Sequence, residues 1–161
     1  MTTDERLSLE ILLTREGLAM LRAELDELVN VQRPASRRRV QSAFETGEGE
    51  GGTEVSDALW EQDRVELRIR RLEDQLRVAR VVTDGDLDDD RIAIGHRVDV
   101  RRADGAERSY VLVSPAESDP RSGRLSADSP LGRALLGRQV GEVVVLEHND
   151  ERVTVTGIHV P

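Results

Sequence analysis

Thr46-Gly-Glu-Gly-Glu-Gly-Gly-Thr-Glu54 is the stretch that decides the fold. Its nine residues hold four glycines and three carboxylates, and a long run with helical periodicity lies on either side. A glycine inside a helix costs about 1 kcal/mol relative to alanine, so Gly47, Gly49, Gly51 and Gly52 end one helix here. Upstream, Leu18, Leu21, Leu25 and Leu28 recur at three- and four-residue steps, which places them on one helical face. Downstream, Val55, Leu59, Val65, Ile69, Leu72, Leu76 and Ala79 form a second stripe. Two stripes of similar length joined by a short turn pair antiparallel. At ~1.5 Å of rise per residue each arm reaches roughly 40 Å. Residues 46–54 are thus expected at the tip of a helical hairpin, and the tip is the expected place of action.

Working outward, Thr14 is a suitable N-cap for the first helix and Thr53 for the second. Pro34 removes a backbone donor and predicts a bend or short break between Val31 and Pro34. Beyond it the stripe weakens to Ala35, Val40 and Ala43. Residues 1–13 read as a loose lead-in, 14–82 as the antiparallel coiled coil, and 83–91 as an acidic, turn-rich linker. From Ile92 the apolar period changes to two. Strands are expected around 97–101, 109–113, 142–147 and 152–159. Between them Ser129-Pro-Leu-Gly-Arg-Ala-Leu-Leu-Gly137 predicts a helix of one or two turns, capped by Ser129 and ended by Gly137. The fold class is α+β: a long helical hairpin followed by a small sheet domain over 92–161.

Composition agrees. Charged residues make up 34 %, hydrophobic ones 37 % and aromatics 2 %. That is thin for one compact core and suits a narrow aliphatic seam plus a small sheet. The net charge is -9, which argues against non-specific nucleic-acid binding. Cysteine is absent, which excludes disulfides and thiolate metal sites. The opening Met-Thr-Thr-Asp-Glu-Arg is acidic and unlike a signal peptide, and no apolar run approaches the ~20 residues that span a membrane. A cytoplasmic protein without membrane contact is expected.

Enzymatic signatures are missing. There is no phosphate-binding loop, dinucleotide glycine pattern or nucleophile elbow. Asp84, Asp86 and Asp88 alternate like a calcium loop, but the sixth position is Asp89 rather than Gly and the twelfth is Gly95 rather than Glu. His96, His148 and His159 have no ligand spacing. Arg33, Arg37, Arg38 and Arg39 form the strongest basic cluster, read either as contacts to an anionic partner, which under the resemblance given below means RNA or polymerase, or as a solvated helix face. Trp60 is either core packing beneath the tip, the favoured reading, or an exposed contact.

Three segments carry a family resemblance. Leu12-Leu-Thr-Arg-Glu-Gly-Leu18, Leu21-Arg-Ala-Glu-Leu-Asp-Glu-Leu28 and Arg33-Pro34 resemble the opening helix of the bacterial Gre transcript-cleavage factors. Residues 68–82 resemble the end of that family's second helix. Leu125-Ser-Ala-Asp-Ser-Pro-Leu-Gly-Arg-Ala-Leu-Leu-Gly-Arg138 is similar to its Ser-Pro segment and is the most specific piece.

The resemblance implies an FKBP-like C-terminal domain that docks on the rim of the RNA polymerase secondary channel, with Ser129, Pro130 and Leu131 in the docking segment. Prolyl isomerase activity is not expected of it, because Tyr110 is the sole aromatic residue there. The coiled coil would enter the channel and bring its tip near the catalytic Mg²⁺ and the nascent RNA 3′ end. Cleavage-competent members carry a tip resembling Gly-Asp-Leu-Lys-Glu-Asn-Ala-Glu-Tyr, whose Asp and first Glu help hold a second Mg²⁺. Aligned without a gap, Glu48 stands at the Asp, Glu50 at the Lys, Gly51 at the first Glu, Glu54 at the later Glu and Val55 at the Tyr. Phe44 and Leu59 occupy positions where cleavage factors tend to carry Arg. The expectation is a monomeric polymerase-binding protein, with no catalytic site or cofactor of its own, that inhibits or tunes transcription. Mg²⁺ would meet Glu48 and Glu50 only in the polymerase complex. The alternatives are an active cleavage factor using Glu48 with Glu50 or Glu54, and a coiled-coil scaffold with another partner.

Overall fold

The computed structural model describes residues 10–46, 52–88, 90–147 and 149–160. It divides into two compact units: Ala19–Val78, and Met1–Leu18 together with Ala79–Pro161.

The first unit is helical. Helix α1 (Arg15–Glu27) runs into a π-helical turn, Leu28–Gln32, and on into α2 (Arg33–Glu45). Helix α3 (Thr53–Arg77) returns alongside. Leu21, Leu28, Ser36 and Ala43 are buried on the outgoing arm, and Val55, Ala58, Val65, Ile69 and Leu72 on the returning one. Ion pairs confirm the antiparallel register: Glu24 with Arg68, Arg33 with Glu66, and Arg39 with Glu61.

Three expectations for these helices are corrected. No break occurs near Pro34. The Arg33 N–H bonds the Leu28 carbonyl five residues back, and Pro34 sits within the first turn of α2. The π turn inserts one residue into the ladder. After Leu21 and Leu28 a heptad would bury position 35; the inserted residue moves the buried face to Ser36, then Ala43, and leaves Ala35 exposed. The second correction concerns the returning arm, where Ala58 faces the partner helix and Leu59 is 41 % exposed. Ala43, Val55 and Ala58 form a small separate core there, flanked by Val40. Third, Gly52 rather than Thr53 is the N-cap of α3.

The second unit is a five-stranded sheet of β3 (Arg97–Arg102), β4 (Glu107–Val113), β5 (Arg124–Ser126), β6 (Val143–Leu146) and β7 (Glu151–His159), in the order β5-β4-β3-β7-β6. β4–β5 is parallel and the other pairings are antiparallel, with a register shift at Asp99/Val100. Val98, Val100, Leu112, Val144, Leu146, Val153 and Val155 point to one buried face and pack with Ile92 and Leu135. Helix α4 (Pro130–Leu135) closes that core. The lead-in is not loose where it is described. Ile11–Leu13 is strand β1, paired in parallel with β2 (Ala79–Val81).

The acidic segment is held by local caps. The Asp86 carboxylate accepts from the Thr83 N–H (2.8 Å) and hydroxyl (2.7 Å) and from Arg80 (2.8 Å). The Thr83 hydroxyl, its backbone N–H and Arg80 together lower the Asp86 pKa to about 2.

Candidate functional site

Three regions carry the residues singled out from the sequence. The first is the distal end of the helical hairpin. Thr46 closes α2, its hydroxyl donating to the Ala43 carbonyl at 2.9 Å. Glu54 lies in the first turn of α3, where a carboxylate complements the helix dipole. Glu48, Glu50 and Gly51 lie outside the described residues, as do Asp89 and His148. Phe44 is 43 % exposed. Phe44 and Leu59 each follow a core alanine, Ala43 and Ala58, by one residue. At ~100° per residue on antiparallel helices, both therefore lie on the same side of the hairpin. Trp60 is 71 % exposed, which corrects its reading as core beneath the tip. Val55, Ala58 and Val65 already fill the facing stripe, and Trp60 lies about 200° around the helix from Ala58.

The second region is the basic cluster. Arg33 makes a two-pronged bond to Glu66 through Nε (2.9 Å) and Nη2 (2.8 Å), and Arg37 approaches the same carboxylate at 3.8 Å. Arg39 bridges to Glu61. These side chains tie α2 to α3. Arg38 is exposed and makes no ion pair among the described residues.

The third region is the Ser-Pro segment. Ser129 caps α4: its oxygen accepts from the Gly132 N–H (3.0 Å), while its hydroxyl donates to the Ser126 carbonyl (2.6 Å). A Cβ on Gly132 would stand 2.0 Å from that same carbonyl oxygen, so α4 lies on β5 at a distance only glycine permits. Beside it opens a groove of about 530 Å³, lined by Pro130, Arg133, Ala134, Arg138 and the edge strand β6. Val143 and Val145 on β6 are exposed.

With this geometry in place, comparison with known proteins is informative. Residues 11–81 match the family model for the transcription elongation factor N-terminal domain, and residues 87–160 match the GreA/GreB C-terminal domain. The transcription elongation factor GreA of Oenococcus oeni is 37 % identical over 150 residues, covering 92 % of this chain and 93 % of that protein. GreA of Chloroflexus aggregans is 39 % identical over 135 residues, covering 83 % and 86 %. The chain belongs to the GreA/GreB family of transcription elongation factors. Among solved structures, the GreA factor homolog Gfh1 of Thermus thermophilus is 29 % identical, with 93 % and 99 % of the two chains covered and a TM-score of 0.44.

In this GreA/GreB family member the candidate Mg²⁺ ligands Glu48 and Glu50 lie outside the described residues. Magnesium prefers several hard oxygen donors in near-octahedral array. Glu54 is the sole described carboxylate of residues 46–54, and no group of three or more His, Asp or Glu side chains is disposed to hold a metal among the described residues. In the acidic segment, the Asp86 carboxylate accepts hydrogen bonds from Thr83 and Arg80.

One constellation escaped the sequence reading. Glu117, whose side chain is fully buried, accepts from the Thr14 N–H (2.7 Å) and hydroxyl (2.6 Å) and pairs with Arg124. The Thr14 oxygen in turn caps Gly17 at 2.9 Å and accepts from Arg124 at 3.2 Å. Arg124 also reaches the exposed Glu16 at 3.0 Å. The first turn of α1 is thereby fastened to the 3₁₀ turn Pro115–Glu117 and to β5. Only Gly17 fits here, since a Cβ would lie 1.8 Å from the Glu117 carboxylate. Thr14 was recognisable as a cap, but its partners lie more than a hundred residues away, and no local pattern encodes them.

Proposed function

We propose that this chain binds RNA polymerase through its sheet domain, at the rim of the secondary channel, and inhibits or modulates transcription by inserting its helical hairpin, without efficient transcript cleavage. In this reading residues 92–161 are an FKBP-like docking domain, with Ser129, Pro130 and Leu131 at the contact. Residues 14–82 act as the coiled coil that approaches the active-site Mg²⁺ and the RNA 3′ end. The protein acts as a monomer in the cytoplasm and has no catalytic site of its own. The observation that carries the proposal is the replacement of the chemical positions of the tip in an otherwise intact frame. Gly51 stands where cleavage factors place a carboxylate, and Phe44 and Leu59 stand half-exposed where they place arginines. The Ser129-Pro130 segment, similar to the family's Ser-Pro segment, favours polymerase over an unrelated scaffold partner.

The test uses a polymerase elongation complex stalled in a backtracked state. RNA shortening and run-off synthesis are followed together in the presence of the protein. Slower run-off without shortening is expected. Mg²⁺-dependent shortening that disappears in Glu48→Ala would replace this reading with that of a cleavage factor, in which Glu48 acts with Glu50 or Glu54. Failure to bind polymerase would leave the scaffold.

A further inference from the structure

Strand β6 is the open edge of the sheet. At the opposite edge β5 is closed by Asp119, whose N–H donates to the Arg124 carbonyl (3.1 Å) and whose carbonyl accepts from the Arg124 N–H (3.0 Å). On β6 the Val155 N–H bonds the Glu142 carbonyl at 2.9 Å, and antiparallel ladder bonds recur at every second residue. Val144 and Leu146, opposite Val153 and Glu151, therefore turn their N–H and C=O toward β7. Val143 and Val145 turn theirs away from it, and among the described residues no backbone hydrogen bond outside the β7 ladder reaches either one. Only an extended backbone can pair with all of these outward groups at once. The side chains at this edge are apolar as well. Of the large apolar side chains exposed within 92–160, Val160 lies near the chain's end, and Leu136, Val140, Val143 and Val145 all fall between 136 and 145. Residues 143–146 contain no charge and no proline, the usual guards of a free edge.

The edge is complementary to itself. In a two-fold antiparallel pairing centred on Val144, Val143 of each copy stands opposite Val145 of the other, and the outward N–H and C=O groups of the two strands meet one another. The exposed valine side chains then pair across the junction on the open face of the sheet. Glu147 faces Gly141 and Glu142 faces Leu146, so no carboxylate is set against another. The charges bordering the edge are mixed: Arg133, Arg138 and Arg152 with Glu142, Glu147 and Asp150, while Glu151 is already paired with Arg102. A mixed border selects neither an acidic nor a basic partner, and it does not repel its own image. We propose that the free chain self-associates through β6, joining the five-stranded sheets of two copies into one continuous sheet. A ladder this short, with its flanking valines, is smaller than a standard interface, so the dimer is reversible and forms in the micromolar range. The monomer remains the species that acts in the function proposed above.

The test is sedimentation equilibrium of the full chain from about 1 to about 500 µM, in salt sufficient to screen its net charge of -9, with amide exchange measured at both ends of the range. A monomer–dimer equilibrium is expected. Exchange at Val143 and Val145 should slow severalfold at the high end, while Val144 and Leu146 are protected throughout. Val145→Lys puts a charge on the edge, and Val143→Pro removes an outward donor without touching the β7 ladder. Each should weaken dimerisation about tenfold or more and leave the melting temperature of the dilute protein little changed. A monomer at every concentration, or a dimer that keeps its affinity in either variant, would overturn the pairing. Val143 and Val145 amides that stay unprotected in concentrated protein and become protected on addition of core RNA polymerase would assign the edge to polymerase and overturn it equally. Sedimentation of the chain alone involves no polymerase, so failure there leaves the proposed function standing.

Discussion

Replacing Glu117 with alanine should be among the most damaging single changes in the sheet unit. The substitution removes the carboxylate that receives both donors of Thr14 and the guanidinium of Arg124. Arg124 is 6 % exposed, and Glu16, its remaining carboxylate partner, is on the surface. Removing one member of a buried ion pair typically costs about 3–5 kcal/mol, because the other charge stays buried without compensation. Weakening of the Thr14 cap adds about 1 kcal/mol at the start of α1. In a unit of about 100 residues, each kcal/mol lowers the melting temperature by roughly 4–8 °C, so a drop of more than about 12 °C is expected. Glu16→Ala supplies the control: it cuts the same guanidinium from an exposed partner and should cost about 0–1 kcal/mol. The double variant Glu117→Met with Arg124→Leu should recover most of the loss, because no charge is then left buried. Urea unfolding followed by amide exchange at residues 11–18 and 110–126 reads the unit directly. If Glu117→Ala costs no more than Glu16→Ala, the cluster does not hold the helix start, and the reasoning from burial is refuted.

Three further outcomes follow from the geometry. Gly132→Ala places a Cβ 2.0 Å from the Ser126 carbonyl and should destabilise the sheet unit by roughly 1–3 kcal/mol in urea titration, with α4 displaced from β5. Deleting Asn30 together with Pro34→Ala should convert the π turn to regular α-helix while keeping Ser36 and Ala43 on the buried face. Pro34 retained in the deletion would cost about 3 kcal/mol, seen as lost helical circular dichroism. The Asp86 carboxyl should titrate at about 2 by NMR, and Thr83→Ala should raise that value more than Arg80→Gln does. Its folded pKa lies below its ordinary value of 3.8, so the stabilisation is complete above pH 4 and is lost as pH falls towards 2.

The fold was legible wherever one period ran long enough to register. Leu21, Leu28, Val65, Ile69 and Leu72 declared their helices, and the alternation in Val98-Asp99-Val100 and Val153-Thr154-Val155 declared the sheet. The errors share a physical origin. Ser36 and Ala58 are buried although they are less apolar than their neighbours Ala35 and Leu59. Helix register, once set by the larger residues and shifted by the π turn, dictates which positions face inward. Size and hydropathy then decide how closely the helices approach. A stripe drawn by picking the most apolar residue at each step therefore fails where the core is made of small side chains. The strand Ile11–Leu13 was missed for a related reason: three residues show no period, and their partner Ala79–Val81 lies far along the chain.

The site was legible in a different way. The positions expected to set chemistry come from alignment to a motif, and their departures from it, Gly51 above all, are visible in the sequence itself. What alignment could not supply was the state of the side chains around them. The arginines at 33 and 39 looked available and are engaged by Glu66 and Glu61 across the hairpin. Trp60 looked like core because tryptophan usually is, yet the stripe at Val55, Ala58 and Val65 leaves it no inward position. These two findings move the expected contacts of the arm. A cation held by a carboxylate at hydrogen-bond distance must give up that partner before it meets RNA, which sets a cost on any role for Arg33 as an RNA ligand. Arg38, exposed and without an ion pair among the described residues, is the member of the cluster that can meet an anionic partner without such an exchange.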